Sequence, residues 1–171
     1  MKEFVPLSID DLLVNPVKMM SNDWMLITAG NVEAFNTMTA SWGGIGYLWN
    51  KPVAFIFVRS QRYTFQFIEK SEHFSLSFFE GSYRQALNIC GTKSGRDADK
   101  VKDAGLSPLF SPKGTPLFKE ANLVFECRKL YNQQLAEENF VDASILSSFY
   151  PHRDIHKLYI GEIVSAWTKI K

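Results

Sequence analysis

The chain is poor in the features that most often reveal a function. Its 19 Lys and Arg almost balance its 18 Asp and Glu, so there is no basic footprint for nucleic acid or an anionic membrane. It has only two cysteines, Cys90 and Cys127, far apart and in neither a CxxC nor a zinc-like spacing. They read as reduced, mostly buried thiols of a cytoplasmic protein. The N-terminus, Met-Lys-Glu-Phe-Val-Pro, shows no signal-peptide core, and no apolar run approaches membrane-spanning length. There is no Asn-x-Ser/Thr sequon. No nucleophile elbow is present either, and with three histidines in all a Ser-His-Asp arrangement finds little support.

Apolar residues make up 46 % of the 171-residue chain and aromatics 14 %, enough to pack one well-formed globular domain spanning 1–171. No repeat, linker or low-complexity tract divides it. Asp10-Asp11-Leu-Leu reads as a short helical turn between Pro6 and Pro16. Trp24–Ala29 reads as a buried strand ending at the turn pair Gly30-Asn31. Asn36–Trp42 and Val53–Val58 read as further strands, the second opened by Pro52, whose missing N–H is tolerated there. Thr64–Lys70 places Phe65 and Ile68 on one helical face. Phe74–Phe79 is rich in strand formers, and Ser82-Tyr-Arg-Gln85 has a capping-box pattern opening a helix over Tyr83–Cys90. A loop at Gly91–Gly95 precedes a short helix, Asp97–Ala104, stopped by Gly105. The prolines between Pro108 and Pro116 mark an irregular stretch. Late strands are expected over Ala121–Tyr131, Phe140–Leu146 and Lys157–Trp167. Strands that do not alternate regularly with helices argue for a mostly antiparallel barrel over a doubly wound sheet.

Two segments carry chemistry. Along Asn36–Trp42 the strand period puts Thr37, Thr39 and Ser41 on one face and Met38, Ala40 and Trp42 on the other. Hydroxyls at every second position can donate to phosphate or ring carbonyls, and small residues let a flat ligand reach the backbone. The same pattern also fits an ordinary half-buried strand. In Arg59-Ser-Gln-Arg-Tyr-Thr64 a strand ends, two arginines and two hydroxyls follow, and a helix starts. Free N–H groups and the positive dipole end favour an anion there, and Arg59 and Arg62 offer bidentate charge-assisted bonds. The alternative is that Thr64 caps the helix and the arginines are solvated.

Other motifs are weaker. Gly43-Gly-Ile-Gly46 lacks the spacing of a dinucleotide loop and the Lys-Ser/Thr of a P-loop, and reads as a flexible turn. In Gly91-Thr-Lys-Ser-Gly95, Lys93 suits an anion or an electron-rich ring edge, although a plain polar connection fits as well. His152 and His156 are four apart, but Pro151 and the strand-like Leu158-Tyr-Ile160 argue against a helix that would pair them, so no metal site is expected.

Taken in order, Asn36-Thr-Met-Thr-Ala-Ser-Trp42, Lys51-Pro52, Arg59-Ser-Gln-Arg-Tyr-Thr64, Cys90-Gly-Thr-Lys-Ser-Gly-Arg-Asp-Ala-Asp-Lys100 and His156-Lys-Leu-Tyr-Ile-Gly-Glu-Ile163 resemble the flavin reductase-like, FMN-binding split-barrel family, and its flavoredoxin-like group in particular. The resemblance runs from about Trp24 to Trp167. It implies a mainly β fold with short helices: a six-stranded antiparallel split barrel, forming a homodimer with FMN near the subunit interface. By carry-over, the strand containing Asn36, Thr37, Met38, Thr39, Ala40, Ser41 and Trp42 lies along the flavin. Arg59, Ser60, Gln61, Arg62, Tyr63 and Thr64 bind the phosphate and ribityl chain, and Lys93 and Ser94 close over the cofactor. His156 matches a family histidine with a catalytic role, but Ile155 separates it from Asp154, where the family has Asp-His. The implied activity is hydride transfer from NADH or NADPH to FMN, with electrons passed to a flavin, a metal chelate or a disulfide. An electron-transfer protein reduced by a protein partner is the alternative, and a small-molecule binding barrel without flavin a third. Tyr131–His152 matches little of the family pattern.

Overall fold

The alternating and continuous apolar runs become strands of one curled sheet. The computed structural model describes residues 1–170. In chain order, β1 (Phe4–Pro6) leads through a 3₁₀ turn at Ile9–Asp11 to the short α1 (Pro16–Lys18) and a π turn at Met19–Asp23. Then come β2 (Met25–Gly30), β3 (Phe35–Ala40), β4 (Gly43–Leu48), β5 (Lys51–Arg59), α2 (Tyr63–Lys70) and β6 (His73–Phe78). They are followed by α3 (Arg84–Thr92), α4 (Lys100–Asp103), β7 (Pro108–Phe110), β8 (Pro116–Phe118), β9 (Leu123–Gln134), α5 (Ala143–Phe149) and β10 (His156–Lys169).

The sheet is antiparallel throughout, with the order β3-β2-β6-β9-β10-β5-β4 and β1 added beside β10. It thus carries eight strands where the family resemblance implied six, and β7 and β8 form a separate hairpin. Edges β3 and β4 lie at opposite ends of this path, yet only Ser41 and Trp42 separate them in the chain. Three trans peptide links span at most about 11 Å. The sheet must therefore curl until the end of β3 and the start of β4 come together, and with no pairing between the two edges among the described residues it makes an open, split barrel. Register shifts in β10 at Ile160/Gly161 and Ile163/Ser165 add the local twist that such curling needs.

Inside the curl, Met25 and Ile27 of β2 pack with Ile56 and Val58 of β5, Phe74 and Leu76 of β6, Phe125 of β9 and Tyr159 of β10. Outside it, Leu26 and Val124 pack under Leu87 and Cys90 of α3 and Leu117 and Phe118 of β8. Covered on both faces, β2 is buried from Met25 to Ala29, which explains its continuous apolar run.

Several local expectations are corrected. Gly43–Gly46 is part of β4, paired from Gly43↔Ile56 to Leu48↔Lys51, and not a turn. The turn is Trp49-Asn50, with φ of 52° and 56°, the left-handed pair that a tight two-residue hairpin requires. Phe140–Leu146 is not a strand. β10 is already paired on both sides by β9 and β5, and the Asp142 carboxylate instead accepts from the Ser144 N–H at 2.9 Å and caps α5. The Ser82 capping box does not form: a 3₁₀ turn at Gly81–Tyr83 precedes α3, which has no side-chain cap. α3 also runs through Gly91 and Thr92, so the loop starts only at Lys93. The Pro108–Pro116 stretch is the β7–β8 hairpin.

Candidate functional site

β5 leaves the sheet at Arg59, and the chain reverses so that the Arg62 N–H donates to the Arg59 carbonyl at 3.1 Å. Arg62 has extended backbone and no side-chain cap bond, and α2 begins at Tyr63. Of the first N–H groups of α2, that of Phe65 donates to the Arg62 carbonyl at 2.9 Å, and those of Tyr63 and Thr64 have no helical carbonyl before them. Opposite lies the end of β3 with its Ser41–Trp42 link to β4. Between them is a cavity of about 370 Å³, within the range of cofactor sites.

One wall of the cavity is Met38, Thr39, Ala40, Ser41 and Trp42. The other is Phe57, Arg59, Gln61 and Arg62, with His156, the first residue of β10, between them. His156 stands opposite Arg59 in the β10–β5 register. Arg59, Gln61 and Arg62 make a cationic end beside the amino end of α2, and Met38, Ala40, Trp42 and Phe57 add apolar lining.

The remaining predicted residues lie elsewhere. Asn36 and Thr37 are buried below the wall. Asn36 Nδ2 donates to Thr64 Oγ1 at 2.7 Å and to the Thr37 carbonyl at 3.2 Å. Thr37 Oγ1 shares a 2.8 Å hydrogen bond with Thr28 Oγ1. Thr39 Oγ1 donates to the Leu87 carbonyl at 2.5 Å and so pins α3 to β3. The hydroxyls of Thr37 and Thr39 are therefore engaged within the protein, while Ser41 faces the cavity. Ser60 is exposed, and Tyr63 stacks edge-on against Phe67 at 5.2 Å with Arg96 over its ring. Lys93 Nζ pairs with Asp103 at 2.6 Å, and Ser94 Oγ accepts from the Arg96 N–H. The structure does not bring Lys93 or Ser94 into the cavity wall.

The cationic end is tightly wired. Arg59 Nη1 and Gln61 Nε2 both donate to Asp154 Oδ2. Arg59 Nη2 donates to the Phe149 carbonyl at 3.0 Å, and Arg62 Nη2 to the Gly91 carbonyl at 2.9 Å. Burial, and secondarily the Arg59 charge, lowers the pKa of Arg62. The Gln61 hydrogen bond, helped by Arg59, holds the Asp154 carboxyl below its usual range. Burial, reinforced by Arg59, pushes the His156 imidazole down to about 4, so the ring is neutral at pH 7. Its Nδ1 shares a 2.8 Å hydrogen bond with the Tyr150 hydroxyl, and its ring lies 5.1 Å from that of Trp42. The Trp42 ring also meets Phe149 edge-on at 5.4 Å.

Sequence reading missed Phe57, Phe149, Tyr150 and Asp154. Phe57 lies in a run read simply as an apolar strand, and along β5 Phe55 and Phe57 are only half-buried, between buried neighbours. Phe149 and Tyr150 belong to the stretch around α5 that matched little of the family pattern, and Asp154 was noted only for its spacing from His156; their partners are distant in sequence.

A family model described as the flavin reductase like domain matches residues 17–170. The chain belongs to this flavin reductase-like family. No curated protein gives a match. Among solved structures, the fold is similar to the FMN-binding domain of a flavin reductases-like enzyme from Shewanella baltica OS155, with a TM-score of 0.70 at 16 % identity over 97 % of this chain and 77 % of that one. It is also similar to the flavoredoxin of Desulfovibrio vulgaris (Miyazaki F), with a TM-score of 0.67 at 20 % identity, covering 96 % and 77 % of the two chains. An NADH:FAD oxidoreductase from Streptomyces globisporus, in complex with NAD and FAD fragments, gives a TM-score of 0.63 at 18 % identity, covering 86 % and 74 %.

Proposed function

We propose that the chain is an FMN-binding oxidoreductase that accepts a hydride from NADH or NADPH and passes electrons to a flavin, a metal chelate or a disulfide. The observation that carries this reading is the cavity's mixed chemistry. Arg59 and Arg62 meet beside a helix amino end, and Met38, Ala40, Trp42 and Phe57 supply apolar lining. These residues fit the group: Arg59 pairs with Asp154 while Arg62 donates only to the Gly91 carbonyl, so one carboxylate offsets two guanidiniums and leaves local positive charge for a phosphate, and the apolar lining suits a ring system.

When bound, FMN supplies the two-electron chemistry, and the protein supplies position and charge. Arg59, Gln61 and Arg62 hold the phosphate end, with Ser60, Tyr63 and Thr64 shaping the turn that presents them. The β3 backbone and Ser41 offer donors along the ring, and Trp42 adds an aromatic face at the β3–β4 link. Neutral at pH 7, His156 serves as an uncharged hydrogen-bonding wall group there and not as an imidazolium acid. Lys93 and Ser94 reach this cofactor only if their loop moves from the Asp103 pairing. A cytoplasmic homodimer completes the reading. It is supported by the buried free Cys90 and Cys127 and by the exposed Tyr47 and Trp49 on and beside edge strand β4. Sedimentation equilibrium checks the dimer.

The test is anaerobic stopped-flow mixing of FMN-loaded protein with NADH and with NADPH. Bleaching of the flavin band supports the enzyme. Failure of the protein to retain flavin after incubation with FMN overturns the proposal. Retained flavin that neither nucleotide bleaches favours the second reading, an electron-transfer protein reduced by a partner, which the likeness to a flavoredoxin supports.

A further inference from the structure

The anion-gripping groups of the cavity are already occupied by an anion from the chain itself. Asp154 Oδ2 accepts from Arg59 and from Gln61, two of the three polar groups at the cationic end of the cavity. We propose that Asp154 is an internal stand-in for the ligand phosphate, and that binding a phosphorylated ligand displaces it together with the strap formed by α5 and residues 150–154. This rests on the reading of the cavity as a phosphate-bearing cofactor site.

Three observations carry it. First, the carboxylate fits the site incompletely: Asp154 Oδ1 is buried and has no hydrogen-bond partner. An unpaired buried oxygen is costly, and a phosphate offers more acceptor oxygens and more charge to the same donors. Second, the strap is lightly held. α5 contains no buried residue, and in residues 150–154 only Tyr150 is buried, against the Phe140 ring. The strap's links to the cavity are the Phe149 carbonyl on Arg59, the Phe149 ring on Trp42, and the Tyr150 hydroxyl on His156. Segments with so few buried contacts open at low cost. Third, Asp154 is aimed inward by a turn with stored strain: Arg153 sits at φ 58°, a left-handed conformation that non-glycine residues rarely adopt. Release of Asp154 allows that turn to relax.

The links converge on the cavity wall. Trp42 contacts both Phe149 and His156, and Arg59 contacts Asp154, the Phe149 carbonyl and the Tyr150 ring. A ligand that takes Arg59 from Asp154 therefore loosens the anchor shared by the whole strap. Ligand-free protein is closed over the cationic end and bound protein is open there.

The test measures hydrogen exchange of residues 143–155 in wild-type protein with no ligand, with FMN, with riboflavin and with millimolar inorganic phosphate. It is paired with fluorescence titrations of FMN and riboflavin on wild type and Asp154→Asn. The expected result is faster exchange of the strap with FMN and with phosphate but not with riboflavin. In Asp154→Asn, exchange is already fast without ligand, FMN binds roughly three- to tenfold tighter, and riboflavin affinity is unchanged. Protection of the strap by FMN, weaker FMN binding by Asp154→Asn, or no effect of the substitution on FMN overturns the proposal; weaker binding would make Asp154 a positioning residue for Arg59. Should wild type bind no FMN while phosphate still releases the strap, the cofactor reading falls and the displacement stands. Should FMN bind without altering the strap, the reverse holds.

Discussion

Asn36 Nδ2 donates to Thr64 Oγ1 at 2.7 Å, and both residues are buried. This one bond ties the first turn of α2 to β3 and so fixes the distance between the two walls of the cavity. Neither residue touches the cavity, yet the bond sets where Arg62 and Met38 stand.

Asn36→Ala leaves Thr64 Oγ1 unpartnered and should cost about 1–3 kcal/mol of stability, while weakening FMN binding without any lost ligand contact. Gly95→Ala should act on the same bond, because a Cβ there would lie 2.1 Å from Asn36 Oδ1 and 3.1 Å from the Tyr63 ring. The Asn36 amide would have to turn away from Thr64. Urea denaturation of both single variants and the double variant forms a cycle. The expectation is strong non-additivity, with the double variant little worse than Asn36→Ala. Additive losses would show that Gly95 acts elsewhere.

Arg59→Ala and Arg62→Ala should each weaken FMN by roughly ten- to a hundredfold, the loss of about 1.5–3 kcal/mol expected for a charge-assisted bond. Riboflavin, which has no phosphate, should be affected by less than threefold or so by the same logic. Isothermal titration with the two ligands decides it. Equal losses for both would mean that these arginines shape the cavity and do not bind phosphate.

His156 makes stability depend on pH. Its imidazole drops from an ordinary 6.5 to about 4 in the fold, so between those values the unfolded chain binds more protons than the native one. Stability should therefore fall as pH drops below 6.5 and level off near 4, by on the order of 1–3 kcal/mol. Asp154 and Tyr150 face the same ring, but the lowered Asp154 carboxyl releases its contribution only under more acid conditions. Chemical denaturation from pH 5 to pH 7 should show a shallower slope in His156→Asn. An unchanged slope assigns the acid sensitivity to another group.

Gly161 sits at a register shift in β10, where a Cβ would lie 2.7 Å from Phe74 Cζ and 2.9 Å from Cys127 Cβ. Both neighbours are core residues. Gly161→Ala should destabilise by about 1–3 kcal/mol through overpacking, with partial rescue by Phe74→Leu. A thermal midpoint equal to that of wild type would show that the sheet yields there freely.

Much of the fold was legible because strand signals are local. Continuous or alternating apolar runs marked β2, β3, β5, β6, β9 and β10, and the family resemblance joined them into a split barrel. Failures arose where one local signal masked another. The glycines of β4 hid a strand whose partner, β5, lies just beyond the Trp49-Asn50 turn. Around Phe140, apolar residues suggested a strand, but the following strand, β10, is already paired on both sides and the Asp142 cap favours a helix. Arg59 and Arg62 stood out in the sequence as two arginines at a strand-to-helix turn, a pattern that solvated arginines fit equally well, and the family resemblance added Gln61; the structure places all three on the cavity. The hydroxyl argument for β3 held less well. Strand period places Thr37 and Thr39 on one face, but it cannot show that Thr28 and the Leu87 carbonyl engage them.

By itself the sequence determined the strand-forming segments, the cationic turn after β5 and the ordered motifs of the flavin reductase-like family, since these depend on neighbours a few residues apart. Only tertiary structure decided that β3 and β4 meet at Ser41–Trp42, that Asn36 holds Thr64 across 28 positions, and that Asp154 occupies Arg59 across 95. Those pairings depend on sheet order and curl, and sheet order emerges only when the apolar faces of all the strands are buried together.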